Sequence, residues 1–203
     1  METPADAVPE DLSALAEAEA ACTRCPLYKH ATQVVPGEGA RAARIMFVGE
    51  QPGDREDQAG RPFVGPAGML FDRALQDAGL ERTDTFVTNA VKHFKFQLRG
   101  KRRLHSKPNG YEIERCSWWL ELERKLVQPR LIVALGATAV RSLFGRTLTI
   151  KSLRGELQKL EDGTALLVTV HPSALLRMRD EAAREAAYEG FVGDLRKAKE
   201  AAS

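Results

Sequence analysis

Short apolar runs, each stopped by a glycine or a polar residue, divide the chain. Ile45-Met46-Phe47-Val48 runs into Gly49, and Leu131-Ile132-Val133-Ala134-Leu135 runs into Gly136. Thr85 to Val91 carries Asn89, Ala165 to Val170 stops at His171-Pro172-Ser173, and a weaker run covers Glu156 to Leu160. Runs of this length, bounded by turn residues, read as buried strands. Between them the period lengthens to that of a helix. Helices are predicted over Glu10–Ala21, about Ala67–Ala78, Glu112–Val127, Ala137–Phe144 and about Glu181–Lys199. In the second of these the apolar positions are Met69, Leu70, Ala74 and Leu75, and Gly79 suits its C-terminal cap. Residues 33–43, 58–68 and the stretch from Lys92 to Gly110 read as loops. Strands alternating with helices predict a three-layer α/β/α sandwich around a mostly parallel, four-stranded central sheet. Residues 1–203 are expected to form one domain, with the N-terminal helix and a Cys22/Cys25 arm packed on it.

Three polar residues, Glu50, Asn89 and His171, stand at or just beyond the ends of these runs. In an open α/β sheet, ligands bind in the crevice beyond the carboxyl ends of the strands, so the three should converge there. Glu50 and Gln51 precede a Pro52-Gly53 pair and therefore sit on a tight turn. A glutamate at that place can act as a base, a nucleophile or a stabiliser of positive charge; a polar turn without chemistry is the plainer alternative.

Composition is that of an ordinary globular protein, and no apolar run approaches the roughly 20 residues of a membrane span. The opening Met1-Glu2-Thr3-Pro4-Ala5-Asp6 lacks the basic and apolar parts of a signal peptide, which leads us to expect a cytoplasmic protein, nucleoid-associated in a bacterium. The net charge of +2 conceals an asymmetry. No acidic residue lies between Asp84 and Glu112, whereas Lys92, Lys95, Arg99, Lys101, Arg102, Arg103 and Lys107 all do. The remainder of the chain is net acidic, so this stretch reads either as a phosphate-facing patch or as a solvated basic loop. Cys22, Cys25 and Cys116 are odd in number, which argues against a disulfide framework and towards metal ligation. A fourth ligand would come from His30, His93, His105 or His171, and the spacing alone does not choose between zinc and an iron–sulfur cluster.

Several motifs, in order, resemble those of the uracil-DNA glycosylase superfamily. They are Gly49-Glu50-Gln51-Pro52-Gly53-Asp54-x-Glu56-Asp57, Gly60-x-Pro62-Phe63-Val64-Gly65, Thr88-Asn89-Ala90-Val91-Lys92 and His171-Pro172-Ser173. Within it the chain is most similar to family 4, the iron–sulfur enzymes, with two departures. His93 stands where that family has a cluster cysteine, and a basic run, Arg99-Gly100-Lys101-Arg102-Arg103-Leu104-His105, is inserted after it. Both features are similar to the UdgX group, which bonds covalently to DNA and whose loop motif is Lys-Arg-Arg-Ile-His.

The resemblance implies a 4Fe–4S cluster on Cys22, Cys25, His93 and Cys116 and, as substrate, uracil-containing DNA, single strands included, handled by a monomer away from any membrane. It implies that Phe63 stacks on a flipped-out base and Asn89 reads its edge, one amide accepting from N3–H and donating to O4. It places Glu50 against the sugar cation and His171 against the departing uracil oxygen, with Gln51 holding the base or sugar. Gly49, Asp54, Lys92 and Ser173 belong to the same motifs, and Arg177 follows in a loop that would enter the vacated base stack. His105 would attack the sugar carbon in place of water; Arg102, Arg103 and Lys107 would surround it and grip the flanking phosphates, with Arg103 positioning the loop and Lys101 also contacting the DNA. Two rivals remain open. One is a turnover glycosylase with water activated by Glu50; the other is a metal-stabilised nucleic-acid-binding module without catalysis.

Overall fold

The computed structural model describes residues 9–203, so the Met1–Asp6 segment lies outside the described residues. Helix α1 (Leu12–Ala20) opens on Asp11, whose carboxylate accepts the Ala14 N–H at 2.8 Å. A 3-10 turn, Pro26–Lys29, follows the two N-terminal cysteines. Then come β1 (Glu38–Gly39), β2 (Ile45–Gly49), α2 (Asp54–Ala59), α3 (Pro66–Asp77), β3 (Phe86–Asn89), β4 (Phe96–Arg99) and β5 (Arg102–His105). The second half holds α4 (Gly110–Val127), β6 (Leu131–Leu135), α5 (Ala137–Phe144), α6 (Ile150–Leu153), β7 (Leu157–Lys159), β8 (Ala165–Thr169), α7 (Pro172–Leu176) and α8 (Glu181–Ala202).

The main sheet has the order β1-β3-β2-β6-β8-β7. Its four inner strands are parallel, as the buried apolar runs require, and two short antiparallel strands, β1 and β7, extend it to six. The expected four-stranded sheet is thus the parallel centre of a wider one. β1 is two residues long and carries no apolar run, which is why its sequence does not announce it. Successive residues of a strand face opposite sides. Phe47, Val133 and Leu167 accordingly pack with α3 and α8 on one face. Met46, Val48, Ile132 and Val168 pack with α4 and α5 on the other. A third apolar cluster joins Leu15 of α1 and Leu27 to Ile113, Cys116, Trp119 and Leu122 of α4, and so seats the N-terminal arm.

Three local expectations are corrected. Asp54–Ala59 is helical, so α2 takes in the first residues of the predicted 58–68 loop. Asp54, Glu56 and Asp57 in its first turn complement the positive end of the helix dipole, and Gly60, at φ 69°, ends it. The basic stretch is not an irregular loop: β4 and β5 form an antiparallel hairpin with Phe96 opposite His105 and Arg99 opposite Arg102. Gly100, at φ 60°, takes the first position of its two-residue turn, where a positive φ is needed. Finally, His171-Pro172-Ser173 opens a short helix, α7, with Pro172 at a position that has no N–H to lose.

Candidate active site

Parallel pairing sets Gly49 beside Asn89 at the ends of β2 and β3, and Leu135 beside Thr169 at the ends of β6 and β8. The strand ends therefore deliver Glu50, Asn89 and His171 to one cavity of about 790 Å³, as the sequence pattern requires. Phe63, Ser173 and Arg177 also line it, together with Gln51, Asp54 and His105.

Gly49 keeps the cavity floor open. A Cβ there would lie 2.7 Å from Cζ of Phe63 and closer still to Oδ1 of Asn89. Phe63 itself has φ 56°, a conformation L-residues adopt only under constraint, and its ring centre lies 5.9 Å from that of His171. The Phe63 ring and the buried Asn89 amide thus border the same cavity.

Glu50 divides its carboxylate between two partners. Oε2 accepts from the Thr138 hydroxyl at 2.5 Å, and Oε1 lies 3.0 Å from Nε2 of His105. Burial alone would raise its pKa; the hydrogen bonds from His105 and Thr138, aided by the nearby imidazoles of His105 and His171, outweigh it and leave the pKa below the usual value. His171 is the converse. Burial pushes its pKa down to about 4 against the pull of Glu50, helped by Arg177 and His105. The Ser173 backbone N–H donates to Nδ1 at 3.2 Å, so Nδ1 is an acceptor and the ring proton sits on Nε2. A neutral imidazole thus has one N–H left to donate.

The hairpin carrying His105 is clamped at its base and along its inner face. Gln51 donates to the carbonyls of Lys95 and Ser106 at 3.1 and 3.2 Å and accepts the Lys95 N–H at 3.1 Å. Both N–H bonds of its amide and one acceptor position of its oxygen are used here, so the Gln51 side chain clamps the hairpin at the cavity wall. Arg103 donates to Asp54 and to the fully buried Asp57, both at 2.6 Å, and to the Thr32 hydroxyl at 3.0 Å. Its guanidinium also lies over Phe94 and Phe96. Arg103 is therefore a positioning residue that points away from the cavity. Lys92 is corrected outright as a substrate ligand: it is fully buried, donating to Glu123 at 2.6 Å and to Thr88 at 2.5 Å. Lys101 and Arg102 are exposed on the hairpin, outside the cavity lining, whereas Lys107 lines it.

Sequence reasoning missed Thr138, and it gave Glu56 and Asp57, both in the first motif, no role of their own. Glu56 lines the cavity beneath Gly53 and accepts the Gly65 N–H at 2.9 Å. Thr138 had a usable signal: it stands two residues beyond Gly136, at a strand end like those that marked Glu50 and His171.

Cys22, Cys25 and Cys116 are buried, unpaired and in one apolar cluster. Two N–H groups already point at sulfur: Trp119 Nε1 lies 3.0 Å from Cys22 Sγ, and the Lys92 amide 3.2 Å from Cys116 Sγ. Burial pushes the Cys116 thiol up to about 12 and raises that of Cys25, so without a metal both stay protonated. His93 is buried and its pKa is lowered by that burial, which keeps its imidazole neutral as a ligand must be. Among the described residues no three such side chains converge on a single ion. A polynuclear cluster binds its ligands on separate iron atoms and needs no such point, and three thiols with sulfur-directed N–H donors fit its chemistry.

An aromatic ring, a buried amide, a carboxylate and a neutral imidazole thus line one cavity at the strand ends, the crevice where an α/β enzyme binds its ligand. A model of the uracil DNA glycosylase superfamily matches residues 36–196, and the chain belongs to that superfamily. It is 40% identical over 180 residues to a Type-4 uracil-DNA glycosylase of Thermotoga maritima, covering 88% of each chain. It is 39% identical over 176 residues to the Type-4 enzyme of Pyrobaculum aerophilum, covering 82% of this chain and 85% of that one. A Type-5 uracil-DNA glycosylase of the same archaeon is 32% identical over 159 residues, 70% of this chain and 66% of its own. Family 4 is thus the branch the chain most resembles among these.

Proposed function

We propose that this protein excises uracil from DNA and then becomes attached to the DNA through Nε2 of His105. The observation that carries the proposal is the 3.0 Å approach of Nε2 to Oε1 of Glu50 at the edge of the cavity, on a hairpin held there by Gln51 and Arg103. The base leaves its stack and enters the cavity, with Phe63 on its face and Asn89 on its edge. The C1′–N1 bond breaks with its electron pair going to uracil, and Nε2–H of His171 donates to the oxygen that gains the charge. Ionised Glu50 faces the sugar cation left behind. Nε2 of His105 then bonds to C1′ as its proton passes to Glu50. Neutral imidazole and carboxylate become N-alkyl imidazole and carboxylic acid, and the charge lost at Glu50 reappears on uracil.

Sequence reasoning expected Arg102, Arg103 and Lys107 to surround His105. In the fold Arg103 is neutralised by Asp54 and Asp57, and the group at hydrogen-bond distance from Nε2 is a carboxylate suited to take its proton. Cys22, Cys25, His93 and Cys116 would hold a 4Fe–4S cluster, which when bound supplies a cross-link between the N-terminal arm, the segment after β3 and α4. A brown solution whose visible absorption bleaches with an iron chelator supports that assignment; a colourless protein carrying zinc overturns it.

Uracil-containing single-stranded DNA is expected to give an adduct that survives heating in detergent, and thymine DNA none. An adduct formed equally by His105→Ala removes His105 from the role. Abasic product in excess over enzyme, with no adduct, selects turnover by a Glu50-activated water.

A further inference from the structure

Thr138 lies at the second position of α5 and is almost fully buried, and its hydroxyl has one hydrogen-bond partner among the described residues, Oε2 of Glu50. The turn that brings it there is specific. Gly136 caps α5 at φ 95°, and a Cβ on it would lie 3.2 Å from that of His171, so only glycine lets the helix start this close to the cavity wall. No side chain caps α5, so the first-turn N–H groups and the Thr138 hydroxyl share the end of the helix that favours an anion.

A carboxylate presents two equivalent oxygens and exchanges them by rotating about its last bond. Between those two positions neither oxygen is aimed correctly, and the chemistry proposed above asks one oxygen to face both a cation and an imidazole proton. We propose that Thr138 is a positioning residue that anchors Oε2 of Glu50 and keeps it ionised, so that Oε1 alone is presented to His105 and to the sugar. The inference rests on the roles given to Glu50 and His105 under the proposed function. An ionised carboxylate only accepts hydrogen bonds, so the hydroxyl must donate to it. A protonated Glu50 gains less from that hydroxyl, and the contact therefore discriminates between its two states.

Other charged groups face Glu50. His105 comes from β5 and His171 from just beyond β8, while Arg177 acts on His171 and Lys107, Arg55, Asp54 and Glu56 line the same cavity. None of them touches Oε2 in the way Thr138 does, so removing the hydroxyl isolates one influence. Thr138→Val keeps the shape and deletes the donor; Thr138→Ser keeps the donor and deletes a methyl. Should the valine not fold, Thr138→Ala repeats the deletion without bulk.

Two measurements decide the matter. In the free protein, the carboxyl carbon of Glu50 is followed by NMR against pH. Thr138→Val is expected to move the midpoint up by about one pH unit, and Thr138→Ser to leave it near the wild-type value. In single-turnover uracil release, the acid limb of the pH–rate profile is expected to move up by the same amount in Thr138→Val and to be restored in Thr138→Ser. An unchanged Glu50 midpoint in Thr138→Val overturns the inference, and so does a rate loss that is equal at every pH or that serine fails to rescue. The titration needs no DNA, so a wild-type protein that releases no uracil defeats the functional reading while the Glu50 midpoints still decide the role of Thr138.

Discussion

In the proposed reaction Glu50 must stay an anion in a partly buried place while a positive charge grows beside it, and His171 must stay neutral while a negative charge grows. The two opposite demands are met by neighbours: hydroxyl and imidazole donors for Glu50, and burial with an acceptor role for Nδ1 at His171. Glu50→Gln keeps the shape and removes both the charge and the proton acceptor. It is expected to slow uracil release and adduct formation together, by roughly a hundredfold or more. His105→Ala should abolish the adduct and leave release measurable, and quantifying free uracil and bound protein in one reaction separates the two. His171→Ala removes the donor to the leaving oxygen and should cost release about 10²–10³-fold. His171 also links stability to pH. Its folded pKa, about 4, lies below the unfolded value of 6.5, so the unfolded chain binds the extra proton. The stability that the neutral ring contributes is present above the unfolded pKa and is lost as pH falls from about 6.5 towards 4. Urea titrations should show His171→Gln losing less stability than wild type across that window, by roughly 2 kcal/mol after allowing for partial exposure of the ring.

At the scale of the element, the β4–β5 hairpin is the part that, in the proposed reaction, supplies the pocket with its own nucleophile. A two-stranded ribbon is marginal by itself. This one is held from inside by Arg103 on Asp54, Asp57 and Thr32, and at its base by Gln51. Removing the guanidinium strands a fully buried carboxylate, so Arg103→Ala should destabilise the fold by about 3 kcal/mol. Arg103→Lys is the more informative change, because a point charge cannot bond Asp54, Asp57 and Thr32 at once. Its expected signature is an adduct rate reduced at least about tenfold, with uracil release much less affected. Equal loss of both would mean that the hairpin also shapes the base pocket. The hairpin was hidden in the sequence for a physical reason. Its strand alternation, Phe96 and Leu98 against Gln97 and Arg99, is short and almost submerged in charge, so a reading by hydrophobic period sees only a basic loop. The parallel strands were legible because burial on both faces forces continuous apolar runs. Glu50, Asn89 and His171 were legible because such runs end at the ligand crevice. Thr138 was not, because its importance lies in a partner 88 residues away, Glu50; Asp57 stood in the first motif, but its partner Arg103, 46 residues on, did not show.

For the whole molecule, the fold sorts the seven cations between Asp84 and Glu112 into two kinds. Lys92 is neutralised in the core by Glu123, Lys95 pairs with Glu112, and Arg103 pairs with Asp54 and Asp57. Arg99, Lys101, Arg102 and Lys107 make no ion pair among the described residues, and Arg99 sits directly across the hairpin from Arg102. Like charges set opposite each other destabilise a strand pair, and no carboxylate among the described residues pairs with either of these two. A phosphate backbone would. Each phosphate contact with single-stranded DNA adds about 0.7 to the slope of log affinity against log salt. Binding of non-cleavable single-stranded DNA should therefore lose about 1.4 from that slope when Arg99 and Arg102 are both replaced by serine, with the unfolding midpoint unchanged or raised. Lys92→Met should behave in the opposite way. It leaves Glu123 buried without its cation, next to a Glu19 whose pKa burial has already raised to about 8. Stability should fall by about 3–5 kcal/mol, while whatever protein remains folded binds DNA with the wild-type salt slope. A slope that drops on losing Lys92, or that ignores Arg99 and Arg102, would mean that the strand follows a path other than the hairpin.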